Sequence, residues 1–159
     1  MKTYICAVAL AAALAATSGG PALAHHSFAM FDLTKESKVT GAIKEFEFTN
    51  PHTITTLEAP DDTGKVQLWT FEGVSVGTLF REGWRRDTLK PGDKVTIIYA
   101  PLRNGAHGGM FLRAQLPGGY TIYNVGILKG SPGYKPENEA DQRRTVEALN
   151  AQKPKTEAR

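Results

Sequence analysis

Between Val39 and Phe48 the apolar residues change phase. Val39, Gly41 and Ile43 share one face of an extended chain, whereas Phe46 and Phe48 fall on the opposite parity. Strand side chains alternate with a period of two, so a one-residue slip turns the apolar set outward unless an extra residue is bulged out of the ladder. The slip predicts a β-bulge near Lys44-Glu45, a sharply bent first strand, and a sheet that curls instead of lying flat. Asn50-Pro51 then breaks the strand.

The residues that follow supply the rest of a curled sheet. Thr53 to Glu58 is rich in β-branched residues and reads as a second strand. Asp61-Asp62-Thr63-Gly64 reads as a hairpin turn. In the third strand, Lys65 to Phe71, Val66 and Leu68 alternate against Trp69 and Phe71, which predicts burial on both faces or one ligand-facing side. Ser75 is placed to cap a two-turn helix with Val76, Leu79 and Phe80 on one stripe and Gly83 at its C′ position. Trp84 is then available to cover the core. Leu89-Lys90-Pro91-Gly92-Asp93 suits a type II turn, and it launches a strand with Val95, Ile97 and Tyr99 on one face. Asn104-Gly105 and Gly108-Gly109 bracket a loop, after which Met110, Leu112, Ala114 and Leu116 alternate in a fifth strand.

The order is β-β-β-α-β-β. It predicts an all-β class with one short helix, arranged as a small OB-like Greek-key barrel with an N-terminal arm and a C-terminal extension. Another small barrel or sandwich with one added helix is the competing architecture. A chain of 159 residues supports one domain of this kind, not two. The boundaries read as 25–37 for the arm, 38–123 for the barrel, and 124–159 for a linker and a weak helix or tail. Tyr120 to Tyr123 reads as a sixth strand or a packed extension. Glu137 to Ala151 reads as a helix with a thin apolar stripe of Ala140, Val146 and Leu149.

Residues 1–24 have the pattern of a cleaved signal peptide: Lys2 in a short leading segment, an apolar run from Ile5 to Ala16, and Ala22-Leu23-Ala24 at the end. The apolar run is shorter than the roughly 20 residues that span a bilayer. Cleavage after Ala24 removes the single cysteine, Cys6, so neither a disulfide nor a cysteine metal site is expected. The formal net charge of +3 becomes +2 with the loss of Lys2. The mature chain is expected in the periplasm or secreted, with no transmembrane helix and no nucleic-acid partner.

Cleavage there makes His25 the first residue. Its free α-amine and imidazole can chelate one metal ion, and His26 adds a second imidazole. Amine and imidazole nitrogens suit Cu(II). His52 and His107, both in expected loops, are the further donors, so the metal set reads His25, His26, His52 and His107 with copper as the cofactor. Met30 and Met110 are soft donors, but the favoured reading is packing, Met30 with Phe28 and Phe31 in the arm and Met110 in the core. A plain export junction with two solvated histidines is the competing reading.

The other candidate is a face for a protein or oligosaccharide. Trp69, Phe71, Trp84 and Tyr99 supply the aromatic surface, and Arg81, Arg85 and Arg86 a basic cluster beside it, although Glu82 and Asp87 make a solvated face an alternative. No nucleophile is positioned for catalysis, and Asp61-Asp62 read as turn residues. A copper oxygenase is the remaining enzyme class, disfavoured because the sequence shows no substrate platform.

Taken together, several segments resemble domain-of-unknown-function family 6152, an uncharacterised family of secreted bacterial proteins. They are His25-His26-Ser27-Phe28-Ala29-Met30-Phe31-Asp32; Gly41 with Phe46-x-Phe48-Thr49-Asn50-Pro51-His52; Trp69-x-Phe71-Glu72-Gly73; Gly83-Trp84 with Arg86-Asp87; and Leu89-Lys90-Pro91-Gly92-Asp93-Lys94-Val95. The likeness covers about residues 25–117. It implies a periplasmic β-barrel with no established activity and supplies no catalytic residue. Thr53-Ile54-Thr55 departs from the family pattern, where an aromatic residue is expected soon after Asn-Pro-His.

Overall fold

The computed structural model describes residues 28–129 and 135–151. The expected signal peptide, His25 and His26 lie outside the described residues. Five strands form the barrel: β1 (Ser37–Glu47), β2 (Ile54–Pro60), β3 (Val66–Glu72), β4 (Lys94–Pro101) and β5 (Gly108–Gln115). A short helix, α1 (Val76–Arg81), lies between β3 and β4. β1 pairs antiparallel with both β2 and β4, β2 with β3, and β4 with β5. Parallel pairing of Thr70–Glu72 with Gly108–Met110 closes the cylinder. Around the barrel the order is β1-β2-β3-β5-β4, the arrangement expected of an OB-like Greek key.

The bulge expected in the first strand is present. The β1–β2 register shifts between Ile43 and Glu45, so Lys44 is the extra residue and Phe48 turns back into the core. Bending β1 lets one strand pair with β2 along one half and β4 along the other. Gly41 sits where β1 crosses closest to β2. A Cβ there would lie 2.3 Å from the Glu58 carbonyl oxygen. Ser75 caps α1 by accepting from the Thr78 amide, and Gly83 follows the helix at a φ of 93°. Trp84 is buried over the core and donates from Nε1 to the Tyr123 carbonyl at 2.9 Å.

Two strands differ from the sequence reading. β3 is buried on one face only: Phe71 points inward, while Val66 and Leu68 are 64% and 50% exposed. In β5 the even-numbered residues do not share one face. The β4–β5 register shifts between Ile98 and Tyr99, where Tyr99 pairs with Phe111 but Ile98 with Arg113, so Leu112 is bulged. Phe111 and Ala114 enter the barrel core. Met110 and Leu112 pack outside it with Phe31, Ala100, Tyr123 and Val125. The bulge has no glycine or proline to announce it.

The C-terminal segment covers that outer layer. β6 (Thr121–Tyr123) pairs with β5 and is followed by α2 (Val125–Leu128) and α3 (Glu137–Ala151). α3 is held mainly by polar pins. Gln142 accepts from the Tyr123 amide at 2.7 Å and donates to the Glu82 carbonyl at 2.8 Å, and Thr145 donates to the Thr121 carbonyl at 2.8 Å. Val146 lies against Gly83, and Leu149 packs on the core. Burial raises the Glu82 carboxyl above its ordinary pKa, opposed by the Gly126 and Val125 amides that donate to it. Among the described residues no helix is long and apolar enough to cross a membrane.

Adding one methyl at the β1–β2 crossing tests this packing. Gly41→Ala forces two main chains apart and is expected to cost at least about 2 kcal/mol, at the upper end of overpacking penalties. Urea unfolding measures it; a cost under about 0.5 kcal/mol, the scale of an ordinary surface change, contradicts the close approach.

Candidate functional site

β3 begins, and β4 ends, at the same end of the barrel, and a cleft opens there. Its volume is about 500 Å³, and its walls come from Ser37–Val39 of β1, the Pro60–Asp62 corner and the loop from Pro101 to Gly108. That size falls within the ordinary range for a small-ligand site. Trp69 and Tyr99 form its floor, with ring centroids 6.2 Å apart in an edge-on arrangement. The Trp69 indole nitrogen donates to the Ala59 carbonyl at 3.2 Å, which fixes the ring. His107 is exposed and stacks on Trp69 with a centroid separation of 4.6 Å.

Local chain geometry holds His107 there. Thr70 donates its amide to the His107 carbonyl at 3.2 Å. Gly108 follows at a φ of 142°, and a Cβ on it would lie 2.0 Å from the Thr70 carbonyl oxygen. A side chain is excluded there on both counts. The loop itself is internally bonded: Gly105 donates to Leu102, Leu102 to Gly108, and Ala106 to the Asn104 side chain.

The N-terminal arm runs alongside this loop. A single 3₁₀ turn at Phe28–Met30 precedes a bridge between Phe31 and Leu102. Arg103 donates its amide to the Met30 carbonyl at 2.9 Å and its Nε to the Ala29 carbonyl at 3.1 Å, and Asp32 donates to Pro101 at 2.8 Å. Hydrogen bonds from Thr34 and the ammonium of Lys35 hold the Asp32 carboxyl below its ordinary pKa.

Of the expected metal set only His52 and His107 are among the described residues, and they are not brought together. His52 Nδ1 lies against the Glu72 carboxylate, at the far end of β3. Glu72 is three residues, or about 10 Å of strand, from Trp69. No group of three His, Cys, Asp or Glu among the described residues is arranged to hold a metal ion. Met110 is core, while Met30 is half exposed on the arm.

The expected aromatic face is also divided. Phe71 and Trp84 are wholly interior, and Tyr99 is nearly so. Phe71 and Trp84 shape the barrel and cannot contact a partner without repacking it; of the four, Trp69 and Tyr99 line the cleft. Arg81, Arg85 and Arg86 lie at the opposite end, around α1. Arg85 sits 4.1 Å over the Phe80 ring and donates to the Phe80 and Trp84 carbonyls, closing the helix end. Arg81 bonds Thr78 of its own helix, and Arg86 is exposed. The basic cluster is therefore separate from the aromatic cleft. The cleft walls at Ser37, Lys38 and Asp62 carried no binding signal in the sequence: the first two are ordinary polar strand residues, and Asp62 reads as part of a turn.

A family model described as Family of unknown function (DUF6152) matches residues 12–112. The chain belongs to this family. The match takes in the arm, β1 through β4 and most of β5, and so includes every wall of the cleft. No curated protein and no solved structure matches the chain. This DUF6152 member is thus a small β-barrel whose activity its family does not state.

Asp61, at the cleft rim, gives a direct test of the local geometry. Its carboxylate accepts from Thr63, Lys65 and Gln67, and these bonds hold its pKa down at about 2. A depressed carboxyl stabilises the hairpin above pH 4, and that contribution is lost as pH falls through the folded-state value. A carbon-detected NMR titration of Asp61 should show a midpoint near 2. A midpoint near the ordinary value of about 4 rules out the bonded turn.

Proposed function

We propose that this protein is an exported binding module whose site is the cleft mouth around His107, and that copper is the ligand its residues suit best. The observation that carries the reading is the arm bonded along the loop that presents His107. His25 is three residues before Phe28, a reach of about 10 Å at full extension. In this reading a chain starting at His25 contributes an amine and two imidazoles, and His107 the fourth nitrogen. Such a set matches the tetragonal nitrogen ligation of Cu(II). His107, not His52, is the donor in this reading, because Glu72 already engages His52.

Residues 1–24 support export through their signal-like pattern, and the proposal depends on cleavage after Ala24. In this reading the barrel holds the metal at the mouth of the cleft.

Equilibrium dialysis with Cu(II) tests the ligand set on three proteins: the chain starting at His25, the same chain preceded by Gly-Ser, and His107→Ala. Both changes should weaken binding at least about tenfold, the scale on which even supporting residues of metal sites act. Equal affinity in all three would overturn the proposal.

A metal-free reading rests on a separate observation, the Trp69–Tyr99 floor of a cleft large enough for a side chain or a sugar ring. On that reading Trp69→Ala removes capture of a periplasmic protein or oligosaccharide while His26→Ala does not. The opposite pattern contradicts it.

A further inference from the structure

β3 is paired on both sides only along its second half. Asp61 donates to the Lys65 carbonyl on the β2 side, whereas Thr70 donates to the His107 carbonyl on the β5 side. Alternate residues along a strand face alternate neighbours, so Val66 and Leu68 share the direction of Thr70. β5 reaches only Thr70, Phe71 and Glu72. Among the described residues, the N–H and C=O groups of Val66 and Leu68 thus project from an edge that no strand covers. Their side chains are 64% and 50% exposed. Exposed apolar residues on an unpaired edge form a template for strand addition, and single domains ordinarily blunt such edges with charges, bulges or proline.

We infer that this edge pairs with the same edge of a second copy of the chain, in an antiparallel two-fold dimer. With Gln67 on the axis, Val66 faces Leu68 of the second copy and Leu68 faces its Val66. These are the residues whose main-chain groups point outward, so the register makes four hydrogen bonds without disturbing β2 or β5. The same register places Lys65 across from Trp69 of the second copy, an ammonium facing an indole, and brings no like charges opposite one another. Each copy supplies both halves of every contact, as a two-fold interface requires. The joined region is three to five residues long, so it buries far less than the roughly 1,200 Å² of a stable interface. The dimer is consequently weak and concentration-dependent.

Sedimentation velocity on the mature chain, from about 10 μM to about 1 mM, covers the range expected of so small an interface. The sedimentation coefficient should rise across that range, and the Val66 and Leu68 amides should exchange more slowly at the higher concentration. Leu68→Lys lies on the solvent face and should abolish the rise while leaving Cu(II) affinity unchanged, which separates this test from that of the metal reading. Val66→Pro removes an edge N–H that β2 does not use and should do the same. Phe80→Lys, at another exposed apolar residue, should leave association intact. A chain that stays monomeric at about 1 mM overturns the dimer. So does equal loss in Phe80→Lys, which would show general apolar association, or edge amides protected independently of concentration, which would show an intramolecular cover.

Discussion

Closure of the barrel through three residues of β3 and three of β5 is the constraint on which the rest depends. Parallel pairing of Thr70–Glu72 with Gly108–Met110 is short and needs two main chains at near-contact distance. Glycine at position 108 permits it, since any side chain there would overlap the Thr70 carbonyl. Because the join is short, two consequences follow. Among the described residues the first half of β3 has no strand on its β5 side, and the loop that enters β5 leaves the barrel at His107, stacked on Trp69.

That geometry separates the two ends of the molecule. At the α1 end Arg85 donates to the Phe80 carbonyl of the helix and to the Trp84 carbonyl beyond it, and Trp84 seals the core. At the other end the start of β1, the β4–β5 loop and the β2–β3 hairpin surround a cleft with an exposed imidazole. Loops set on a rigid barrel are where a binding surface can vary without cost to the core. The C-terminal helix adds a layer over β6 and the end of α1 through Gln142 and Thr145, away from the cleft walls.

Much of the fold was legible because its signals are local. The phase slip at Lys44, the Ser75 cap, the Gly83 stop and the Pro91-Gly92 turn each announce themselves within a few residues. The bulge at Leu112 did not, because alternation through Met110 to Leu116 fits an unbulged strand equally well; only pairing with β4 decides it. The exposure of Val66 and Leu68 was missed for a related reason: apolar content cannot show that a neighbouring strand stops short. α3 was legible as a helix, but its attachment was not, since Gln142 and Thr145 bond main-chain groups remote in sequence. Of the candidate site, His107 and Trp69 were each singled out, yet their stacking follows from closure alone. Phe71 and Trp84 looked like surface candidates because aromatic residues suit a core and a binding face alike.

The placement of His107 over Trp69 is the most direct consequence of closure, and proton NMR reads it. Stacking at 4.6 Å predicts His107 ring protons shifted upfield by the indole, with nuclear Overhauser contacts to Trp69, in the native chain. In Gly108→Ala, where the β3–β5 join cannot form as described, both signatures should vanish. Random-coil shifts for His107 in the native protein, or unchanged shifts in Gly108→Ala, would contradict the account.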